Sequence, residues 1–542
     1  MGIPLTITNW MLAILPILLL FVGILILKWS TYKTGGIVWF FTALLAFTIF
    51  KVDLPGLLYA CSKGLSLSLY VLLIIWTAVF LYNVVNRAGA IDVIGNTMTE
   101  LIHDRLLQSL LLAWCFTSLL QGVAGFGVPI AIVAPIMVSM GFEPLVAVAT
   151  CLVGHSWAIS FGSMGSSYNT IQLVTKIPGD IIGPAMALLF IVPIFITGLS
   201  VLHMQGGFNG IKKGFIPFFT TAILISFTMW SMTKLGMPQL ASLTSAASGV
   251  VVLLTYARHA AKKSVALVGY DDGTYVTHNA FSHGRLEASV MISEEVENPR
   301  YRMSFLIAAM PYIILILISF LTQLPLIKVF FSGLVSGLSY PEITTGLGYV
   351  VTEEKLYAGI KWISHPAPAL FISAVMGFLI YKKTAGAKPN ILKMAAVDTV
   401  RKIIPTSVGI ITMVMMALIM SDSGMTNLLA RGLAGSMGAF FPLATPFIGI
   451  LGSFLTGSNT NSNVMFGMLQ YDTAIVLGKN AVWIAAAQSV GGSIGVAISP
   501  STIMMGSANV GLTGKEHLVM AMTLRYCLIG AVALAAVVYI IS

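Results

Sequence analysis

Long apolar segments separated by short polar stretches run through the whole 542-residue chain. A helix needs about 20 apolar residues to cross a bilayer. Two of the segments, 36–50 and 366–381, are short for a complete crossing. The pattern predicts a helical membrane protein with spans at 10–28, 36–50, 65–86, 181–203, 215–236, 238–257, 303–323, 366–381, 401–421 and 518–541.

Two other apolar regions, 106–170 and 440–507, are broken by Gly, Ser, Asn and Pro. Gly and Pro are tolerated in ordinary membrane helices, so a single interruption would be compatible with a simple span. Here four interruptions are rich in side-chain hydroxyls and amides, which favours broken helices. They are QGVAGFGVP at 121–129, GSMGSSYNT at 162–170, TGSNTNSN at 456–463 and ISPSTIMMG at 498–506.

The interruptions recur with one spacing. Gly122 and Gly165 are 43 residues apart, and so are Gly457 and Pro500. A shift of 335 residues carries the first pair onto the second. The same shift carries the predicted spans that flank the first pair onto predicted spans that flank the second. The chain therefore contains two copies of one architecture, although the copies share few side chains.

The composition agrees with a membrane protein. Charged residues make up only 9% of the chain and hydrophobic residues 57%, whereas soluble domains carry about 25% charged residues. A water-soluble enzyme, a disulfide-rich secreted scaffold and a disordered chain are excluded. The net charge of +10 is best explained by basic cytoplasmic loops, and no nucleic-acid partner is expected.

The basic residues also predict the orientation of the chain. They concentrate in two hydrophilic loops, 258–302 and 382–402, which should face the cytoplasm. That assignment puts the N-terminus outside. The span 65–86 then runs inward and the span 401–421 runs outward, so the two copies have opposite orientations.

Inverted copies with broken helices are typical of secondary transporters. We therefore predict an all-α polytopic protein in which each repeat holds one re-entrant hairpin and one broken helix. The predicted units are a first repeat at 1–203 (hairpin 106–140, broken helix 145–180), two linking spans with the cytoplasmic loop 258–302 at 204–302, and a second repeat at 303–542 (hairpin 440–477, broken helix 480–515).

Unwound backbone inside a membrane must be satisfied by protein or by a ligand-binding cavity. Helix N-termini offer N–H donors and a positive dipole end to an anion, while hydroxyls and amides both donate and accept. These groups predict a binding site for a small anion. The candidate substrate-binding residues are Gln121, Gly122, Gly125, Gly127, His155, Ser163, Ser166, Ser167, Asn169, Ser458, Asn459, Thr460, Asn461, Ser499, Ser501 and Thr502.

Several of these residues have a second interpretation. The three glycines could serve helix packing. His155 could carry a proton or be a neutral side chain bonded to a backbone carbonyl, and both alternatives stay open. The oxygens of Ser458, Asn459 and Thr460 could hold a sodium ion, and no other metal site is predicted. Asp422, next to an apolar run, is interpreted as interfacial.

Five segments together resemble the lactate permease family, in order and over most of the chain. They are QGVAGFGVPIAI, SFGSMGSSYNT, FLTGSNTNSNVMFG, SVGGSIGVAISPSTI and VGLTGKE. The resemblance implies uptake of lactate, glycolate and related 2-hydroxymonocarboxylates by proton symport. It also implies membership of the wider ion transporter superfamily, with an elevator-like movement of a transport domain against a scaffold.

The chain departs from that family at two positions. Many members carry Glu at the position of Gln121 and Asp at the position of Asn459. An amide cannot take up and release a proton near neutral pH, so coupling requires another group, for which His155 is the first choice. The GSNTNSN run resembles the sodium-site motif of divalent-anion/sodium symporters, so sodium coupling and uncoupled exchange both stay open.

The expected function is therefore secondary active transport of a lactate- or glycolate-type anion across the plasma membrane, by symport with H⁺ or Na⁺. No enzyme activity and no cofactor are expected, and assembly into a homo-oligomer is left open. The alternatives are transport of another small organic or inorganic anion, or uncoupled exchange. A channel is disfavoured because the interruptions are too localised for a continuous pore, and a membrane enzyme because no HExxH or similar cluster occurs.

Overall fold

The computed structural model describes residues 3–100, 104–125, 127–267 and 303–542. Most of these residues are helical. Ten helices in the described part are long and apolar enough to cross a membrane, or up to 11 if a bent pair counts as one span. The helices of the first half are α1 (Ile7–Phe21), α2 (Thr31–Thr48), α3 (Leu54–Arg87), α4 (Ala90–Glu100), α5 (Arg105–Ser109), α6 (Thr117–Val123), α7 (Val128–Ser139), α8 (Pro144–Gly154), α9 (Gly162–Thr175), α10 (Gly179–Lys234) and α11 (Pro238–Leu267).

The described residues of the second half contain ten more helices. Most of the predicted loop 258–302, including His278 and His283, lies outside the described residues. The helices that follow are α12 (Phe305–Gln323), α13 (Pro325–Phe330), α14 (Pro366–Thr384), α15 (Ile391–Asp422), α16 (Met425–Met437), α17 (Phe441–Thr456), α18 (Asn459–Val476), α19 (Ala481–Gly495), α20 (Pro500–Ala508) and α21 (Glu516–Ile541).

Large apolar side chains cover much of the surface of these helices. Phe40, Phe215, Ile216 and Phe227 are examples of exposed side chains on the long helices. Such a surface would be unstable in water and suits contact with lipid. The prediction of a multi-pass membrane protein is therefore confirmed.

The predicted spans all coincide with helices, with adjustments at the ends. The two segments judged short are 18 and 19 residues long as α2 and α14. The predicted spans 181–203 and 215–236 belong to one element, α10, which is interrupted only by non-helical backbone at Gly206 and Gly207.

Four strands interrupt the otherwise helical chain between α13 and α14. They are β1 (Val335–Tyr340), β2 (Ile343–Thr344), β3 (Val350–Val351) and β4 (Glu354–Lys361). β1 pairs antiparallel with β4, and β2 with β3. These two pairs of antiparallel strands correct the all-α prediction. They escaped notice because the strands are short, rich in glycine and polar residues, and lack a regular alternation.

Helices α3 and α15 pack side by side and run antiparallel. Side-chain contacts join the beginning, middle and end of α3 to the end, middle and beginning of α15. The contacts are Lys63 Nζ to Asp422 Oδ2 (3.0 Å), Trp76 Nε1 to Ser407 Oγ (3.0 Å), Asn83 Nδ2 to Thr399 Oγ1 (2.9 Å) and Arg87 Nε to Asp398 Oδ2 (2.5 Å).

Helix boundaries recur along the chain at the predicted shift of 335 residues. Shifted by that amount, α2 begins where α14 begins, and α4 begins where α16 begins. The ends of α3 and α15 also coincide, and the first part of α10 falls on α21. These coincidences extend the repeat beyond the interruptions from which it was inferred.

Helices end at both predicted hairpin tips. Helix α6 ends at Val123 and α7 begins at Val128, and in the second copy α17 ends at Thr456 and α18 begins at Asn459. Phe126, at the first tip, lies outside the described residues. Within the arm that precedes the first tip, α5 and α6 are joined by a π-helical stretch, Leu110–Phe116.

The two predicted breaks are displaced from 162–170 and 498–506. The first begins where α8 ends, at Gly154, and closes with left-handed backbone from Ser163 to Gly165. The second lies between Gly495 and Ser499. Pro500 occupies the first position of α20, where a missing N–H costs no hydrogen bond. The proline therefore starts a helix and does not mark the middle of a break.

Candidate functional site

The two tips and the two breaks meet around one buried cavity, here called the central cavity, of about 40 Å³. Because one water needs at least 10–15 Å³ of such space, it suits only a small solute. Its lining residues are Gln121, Gly125, Gly127, His155, Ile159, Ser163, Ser166, Ser167, Gly457, Ser458, Asn459, Thr460, Val496 and Thr502.

The starts of four helices contribute to this lining. Gly127 precedes α7, Ser166 lies in the first regular turn of α9, Ser458 caps α18, and Thr502 lies in the first turn of α20. The first N–H groups of a helix have no partner within it, and its N-terminus carries a partial positive charge. Their convergence gives the cavity an electropositive character without a cationic side chain.

Of the described residues, those lining the cavity include no Lys, Arg, Asp or Glu. No group of three or more His, Cys, Asp or Glu residues suited to a metal ion occurs in the part of the chain that the structure describes. A ligand in the cavity would therefore meet neutral hydroxyls, amides, one imidazole and helix N-termini. This set favours a small monoanion over a highly charged one.

The first tip is tied to the break between α8 and α9. The backbone N–H of Gly125 donates to Ser163 Oγ over 2.8 Å. A Cβ on Gly125 would come within 2.6 Å of that oxygen and 2.9 Å of Gln121 Nε2. Ser163 itself has left-handed backbone (φ 47°), which is unfavourable for a non-glycine residue. The hydrogen bond and the close approach place Gln121, Gly125 and Ser163 next to one another.

The second tip is a helix start built from its own side chains. Ser458 has extended backbone and its Oγ accepts from Asn461 N–H at 3.4 Å, the arrangement of a helix N-cap. Gly457 ends α17 with φ 69°. A Cβ at Gly457 would overlap Ser501 Oγ. Glycine is therefore the residue that allows this chain reversal without strain, and α18 starts with its N-terminus at the cavity.

Hydrogen bonds join the second tip to the first break and to helices α9 and α19. Asn459 Nδ2 donates to Ser160 Oγ (2.9 Å) and to the carbonyl of Ser489 (3.1 Å). Ser167 Oγ and Thr460 Oγ1 are 2.9 Å apart. Asn463 Nδ2 donates to Ser489 Oγ at 2.9 Å. The tip is thus held in place by the first break and by α9 and α19, and a movement of any of them would alter the cavity.

Sequence reasoning missed Ser160, Ser489 and Ser493. Ser493 Oγ donates to the carbonyl of Ser156 and accepts from the N–H of Ser160. All three serines are fully buried within segments that are apolar or rich in small residues. A hydroxyl in such a segment is a usable signal, but it is weak because it can also bond within its own helix.

Three amide oxygens in the first residues of α18 are buried without a hydrogen-bond partner among the described residues, namely Oδ1 of Asn459, Asn461 and Asn463. A buried acceptor without a donor is costly and becomes satisfied when a ligand supplies a donor or a cation. Only Asn459 of the three lines the central cavity. Asn459 Oδ1 itself lies beside Gly492 of α19, so the amide group would have to turn toward the cavity for this oxygen to accept from a substrate hydroxyl or to bind a hard cation.

His155 lines the central cavity with its Nδ1 2.7 Å from the carbonyl oxygen of Cys151. Because a carbonyl only accepts, Nδ1 carries the proton in this contact. The geometry is therefore that of the backbone-bonded imidazole, one of the two alternatives raised above. Its position at the cavity is also consistent with contact to a solute.

The remaining predicted residues lie outside this lining. Gly122 faces α11, where a Cβ would meet Leu243 Cα at 2.8 Å. Its environment is therefore that of a helix-packing glycine, the second interpretation given above for the glycines. Asn169 lines a separate cavity of about 580 Å³. Ser499 and Ser501 contact one another at 3.1 Å beside Gly457. Asn461 is buried one turn into α18.

Comparisons with known proteins agree over almost the whole chain. A sequence model of the L-lactate permease family matches residues 9–542. The glycolate permease GlcA of Escherichia coli is 29% identical over 543 residues, covering 96% of this chain and 93% of the relative. The L-lactate permease of Escherichia coli is 27% identical with the same coverage. That of Bacillus subtilis is 26% identical, covering 95% and 92%.

The chain is also similar to a transporter of known structure. The YdaH transporter of Alcanivorax borkumensis, whose topology is described as unusual, superposes with a TM-score of 0.47 and 12% sequence identity. The match covers 93% of this chain and 98% of that one.

Proposed function

Since the chain belongs to the L-lactate permease family, we propose that it carries lactate, glycolate or a related 2-hydroxymonocarboxylate through the central cavity. The resemblance seen in the sequence is thereby confirmed. The family is one of permeases, so the protein is a transporter and not an enzyme. The observation that carries the substrate proposal is the lining of the cavity, which combines helix N-termini, neutral polar groups and two apolar side chains.

Each part of a 2-hydroxymonocarboxylate has a matching surface in this lining. The carboxylate would face the start of α18 and the hydroxyls of Ser166 and Ser167. The 2-hydroxyl would donate to Asn459 Oδ1. The short alkyl group would contact Ile159 and Val496, the apolar side chains of the lining. Gln121, Gly125, Ser163 and Thr460 would complete the site.

The transport movement that we propose uses the two copies. They would be inverted repeats with re-entrant hairpins, placed in the cell membrane with the N-terminus outside. The antiparallel packing of α3 and α15 and the recurring helix boundaries support this proposal. The tips and breaks would move together as a transport domain, elevator-like, against a scaffold that contains α3 and α15. Access to the cavity would then alternate between the two faces.

The proposed transport is symport with a cation. Sodium is one candidate, because Ser458, Asn459 and Thr460 supply oxygens and Asn459 Oδ1 has no protein donor. A proton is the other candidate, and it requires an ionisable group because Gln121 and Asn459 are amides. Uncoupled exchange and transport of a different small anion are the alternatives.

Counterflow tests the substrate. Protein in liposomes preloaded with unlabelled L-lactate should accumulate labelled lactate transiently in the absence of any ion gradient. Glycolate and D-lactate inside should also drive uptake, because the cavity contacts carboxylate, hydroxyl and a short alkyl group. Propionate, which lacks the hydroxyl, should drive uptake at least about tenfold less, the value of one buried hydrogen bond.

Protein-free liposomes provide the background for this measurement. Counterflow that is equally fast with propionate would contradict the role of the hydroxyl. An absence of counterflow with every 2-hydroxymonocarboxylate would contradict the proposed substrate class. Linear, non-saturating flux would instead indicate a channel.

A further inference from the structure

A cluster of four charged side chains, three of them buried and one exposed, lies away from the central cavity, and sequence reasoning did not connect its members. Lys63 of α3 is 1% exposed. Its Nζ is 3.0 Å from Asp422 Oδ2, at the end of α15, and 3.0 Å from Glu354 Oε2, on β4. Glu354 Oε1 also pairs with Lys176, which follows α9. Lys63, Lys176, Glu354 and Asp422 are called the ionic cluster below.

Asp422, the last residue of α15, is buried within the protein. Its side chain is 14% exposed and forms a direct hydrogen bond with Lys63. A charged pair inside a membrane protein is expensive to bury and usually has a function. Lys63 and Asp422 come from the two antiparallel helices α3 and α15, so the pair belongs to the proposed scaffold.

Glu354 is the member that pairs with both lysines. Its Oε2 is 3.0 Å from Lys63 Nζ, and its Oε1 pairs with Lys176. Glu354 also lies between the two lysines. It contacts the buried Lys63 on one side and Lys176, whose side chain is 56% exposed, on the other.

Two cavities meet at Glu354. A surface recess of about 520 Å³ and a buried cavity of about 30 Å³ share Lys176, Glu354 and Tyr357 in their linings. The buried cavity also touches Lys63 and Asp422. A water-accessible recess on one side and a small polar cavity on the other give a proton a short path from solvent to the carboxylate.

The charges of the ionic cluster balance only while Lys176 is in place. Two lysines and two carboxylates sum to zero. If Lys176 withdraws, Lys63, Glu354 and Asp422 together carry one negative charge in a buried position, which is unfavourable. Uptake of one proton by a carboxylate restores neutrality. Lys176 and a proton are therefore alternative partners of the Glu354 carboxylate.

Lys176 is attached to the part of the protein that would move. It ends α9, which also carries Ser166 and Ser167 of the central cavity, and its own backbone is left-handed (φ 58°). Helix α18 likewise contributes Asn459 to the central cavity and Val464 to the buried cavity beside the ionic cluster. These two residues are about 8 Å apart along the helix axis. Movement of α9 and α18 would therefore change both sites together.

We propose that Glu354 is the proton-binding group that couples proton entry to transport, with Lys63 and Asp422 holding it in place and Lys176 replacing the proton in alternate states of the cycle. This inference rests on the proposed function. One proton enters with one carboxylate monoanion, so each cycle is electrically neutral. His155 is not needed as the carrier, which agrees with its bond to the backbone carbonyl of Cys151.

Tyrosines flank the ionic cluster, and Glu353 and Lys355 line the surface recess beside Glu354. Tyr340 of β1 and Tyr357 of β4 have their rings 5.6 Å and 6.0 Å from Lys63 Nζ. Burial, with the nearby carboxylates of Glu354 and Asp422, raises the pKa of Tyr357 well above its usual range. Burial, with the carboxylates of Asp472 and Asp422, raises the pKa of Tyr349 to about 12. These last two hydroxyls therefore stay protonated at neutral pH.

The test is Glu354→Gln in the full-length protein, reconstituted in liposomes that contain a pH-sensitive dye. An inward gradient of one pH unit can drive about tenfold accumulation when one proton accompanies one monoanion. The native protein should approach that value above protein-free liposomes and should acidify the lumen. Glu354→Gln should lose the accumulation and the acidification while counterflow stays within about twofold. Glu354→Asp should restore part of both.

The neighbouring acid provides a matched control. Glu353 is exposed and pairs only loosely with Lys355, at 3.5 Å, so Glu353→Gln should behave like the native protein. The Glu354→Gln variant retains the Lys63–Asp422 pair, and thermal unfolding in detergent should show a midpoint near that of the native protein.

Three results would overturn the inference. One is unchanged pH-driven accumulation in Glu354→Gln, and another is an equal loss of counterflow and accumulation, which would indicate a purely structural ion cluster. The third is a native protein that exchanges lactate but ignores the pH gradient. In that case the proposed substrate stands and only the proton site fails, whereas absence of native counterflow would contradict the proposed function itself.

Discussion

Replacing Asn459 by alanine should lower lactate counterflow by about 100-fold while the protein still folds. The side chain lines the cavity and donates two hydrogen bonds, to Ser160 Oγ and the Ser489 carbonyl, and its buried oxygen has no donor among the described residues. Each hydrogen bond of this kind contributes about 1–3 kcal/mol when its loss leaves a buried group unsatisfied. Loss of one such bond to the bound solute corresponds to about tenfold or more, and displacement of the tip that the two bonds to Ser160 and Ser489 hold in place brings the expected loss to about 100-fold.

Folding should survive this change because the partners of Asn459 have other bonds. Ser160 Oγ still donates to the Ser489 carbonyl at 3.0 Å. The control is Asn509→Ala, which removes an exposed asparagine that bonds only the Met505 carbonyl of its own helix, and it should transport like the native protein. Initial counterflow rates, normalised to monodisperse protein from size-exclusion chromatography, make the comparison. Counterflow above one third of the native rate in Asn459→Ala would remove this residue from the site.

The second large effect is expected from Gly457→Ala at the second tip, with a loss of counterflow of at least about 50-fold. Alanine in the left-handed region costs about 1–2 kcal/mol, and the new Cβ would overlap Ser501 Oγ. Relief of this overlap requires a shift of the tip, of Ser458 and of the start of α18. Displacements of that size at a binding site commonly cost about 100-fold in rate.

Gly478→Ala separates backbone strain from damage to the site. Gly478 follows α18, has φ 63°, and has open space where its Cβ would lie. It should lose a similar amount of stability, about 1 kcal/mol, yet keep counterflow within about twofold. Adding Ser501→Ala to Gly457→Ala removes the overlapping oxygen and should recover at least about fivefold of the loss, in the manner of a double-mutant cycle.

Thermal unfolding and counterflow measured on the same preparations distinguish the two effects. Equal transport defects in Gly457→Ala and Gly478→Ala would mean that the left-handed backbone, and not the contact with Ser501, limits transport. Full activity of Gly457→Ala would mean that the tip has room to move away from Ser501 at no cost to substrate binding.

Much of the candidate site could be predicted because its signals are local. Polar residues such as Ser458, Asn459 and Thr460 stand out against an apolar background, and Gly457 marks a chain reversal. The displaced breaks show the limit of that approach. Pro500 begins a helix as readily as it interrupts one, and the left-handed turn at Ser163 and Met164 has no glycine at those two positions to announce it.

The sequence by itself determined the membrane spans, the repeat of architecture and the polar helix tips. These features depend on hydropathy over about 20 residues and on the backbone preferences of glycine, proline and capping residues, which are short-range properties. The tertiary structure alone decided that Gly122 packs on α11, that Ser160 and Ser489 bond Asn459, and that Lys63 meets Glu354 and Asp422. Those contacts join residues tens to hundreds of positions apart. Packing of whole helices sets them, and no local pattern encodes which partner a buried polar group will find.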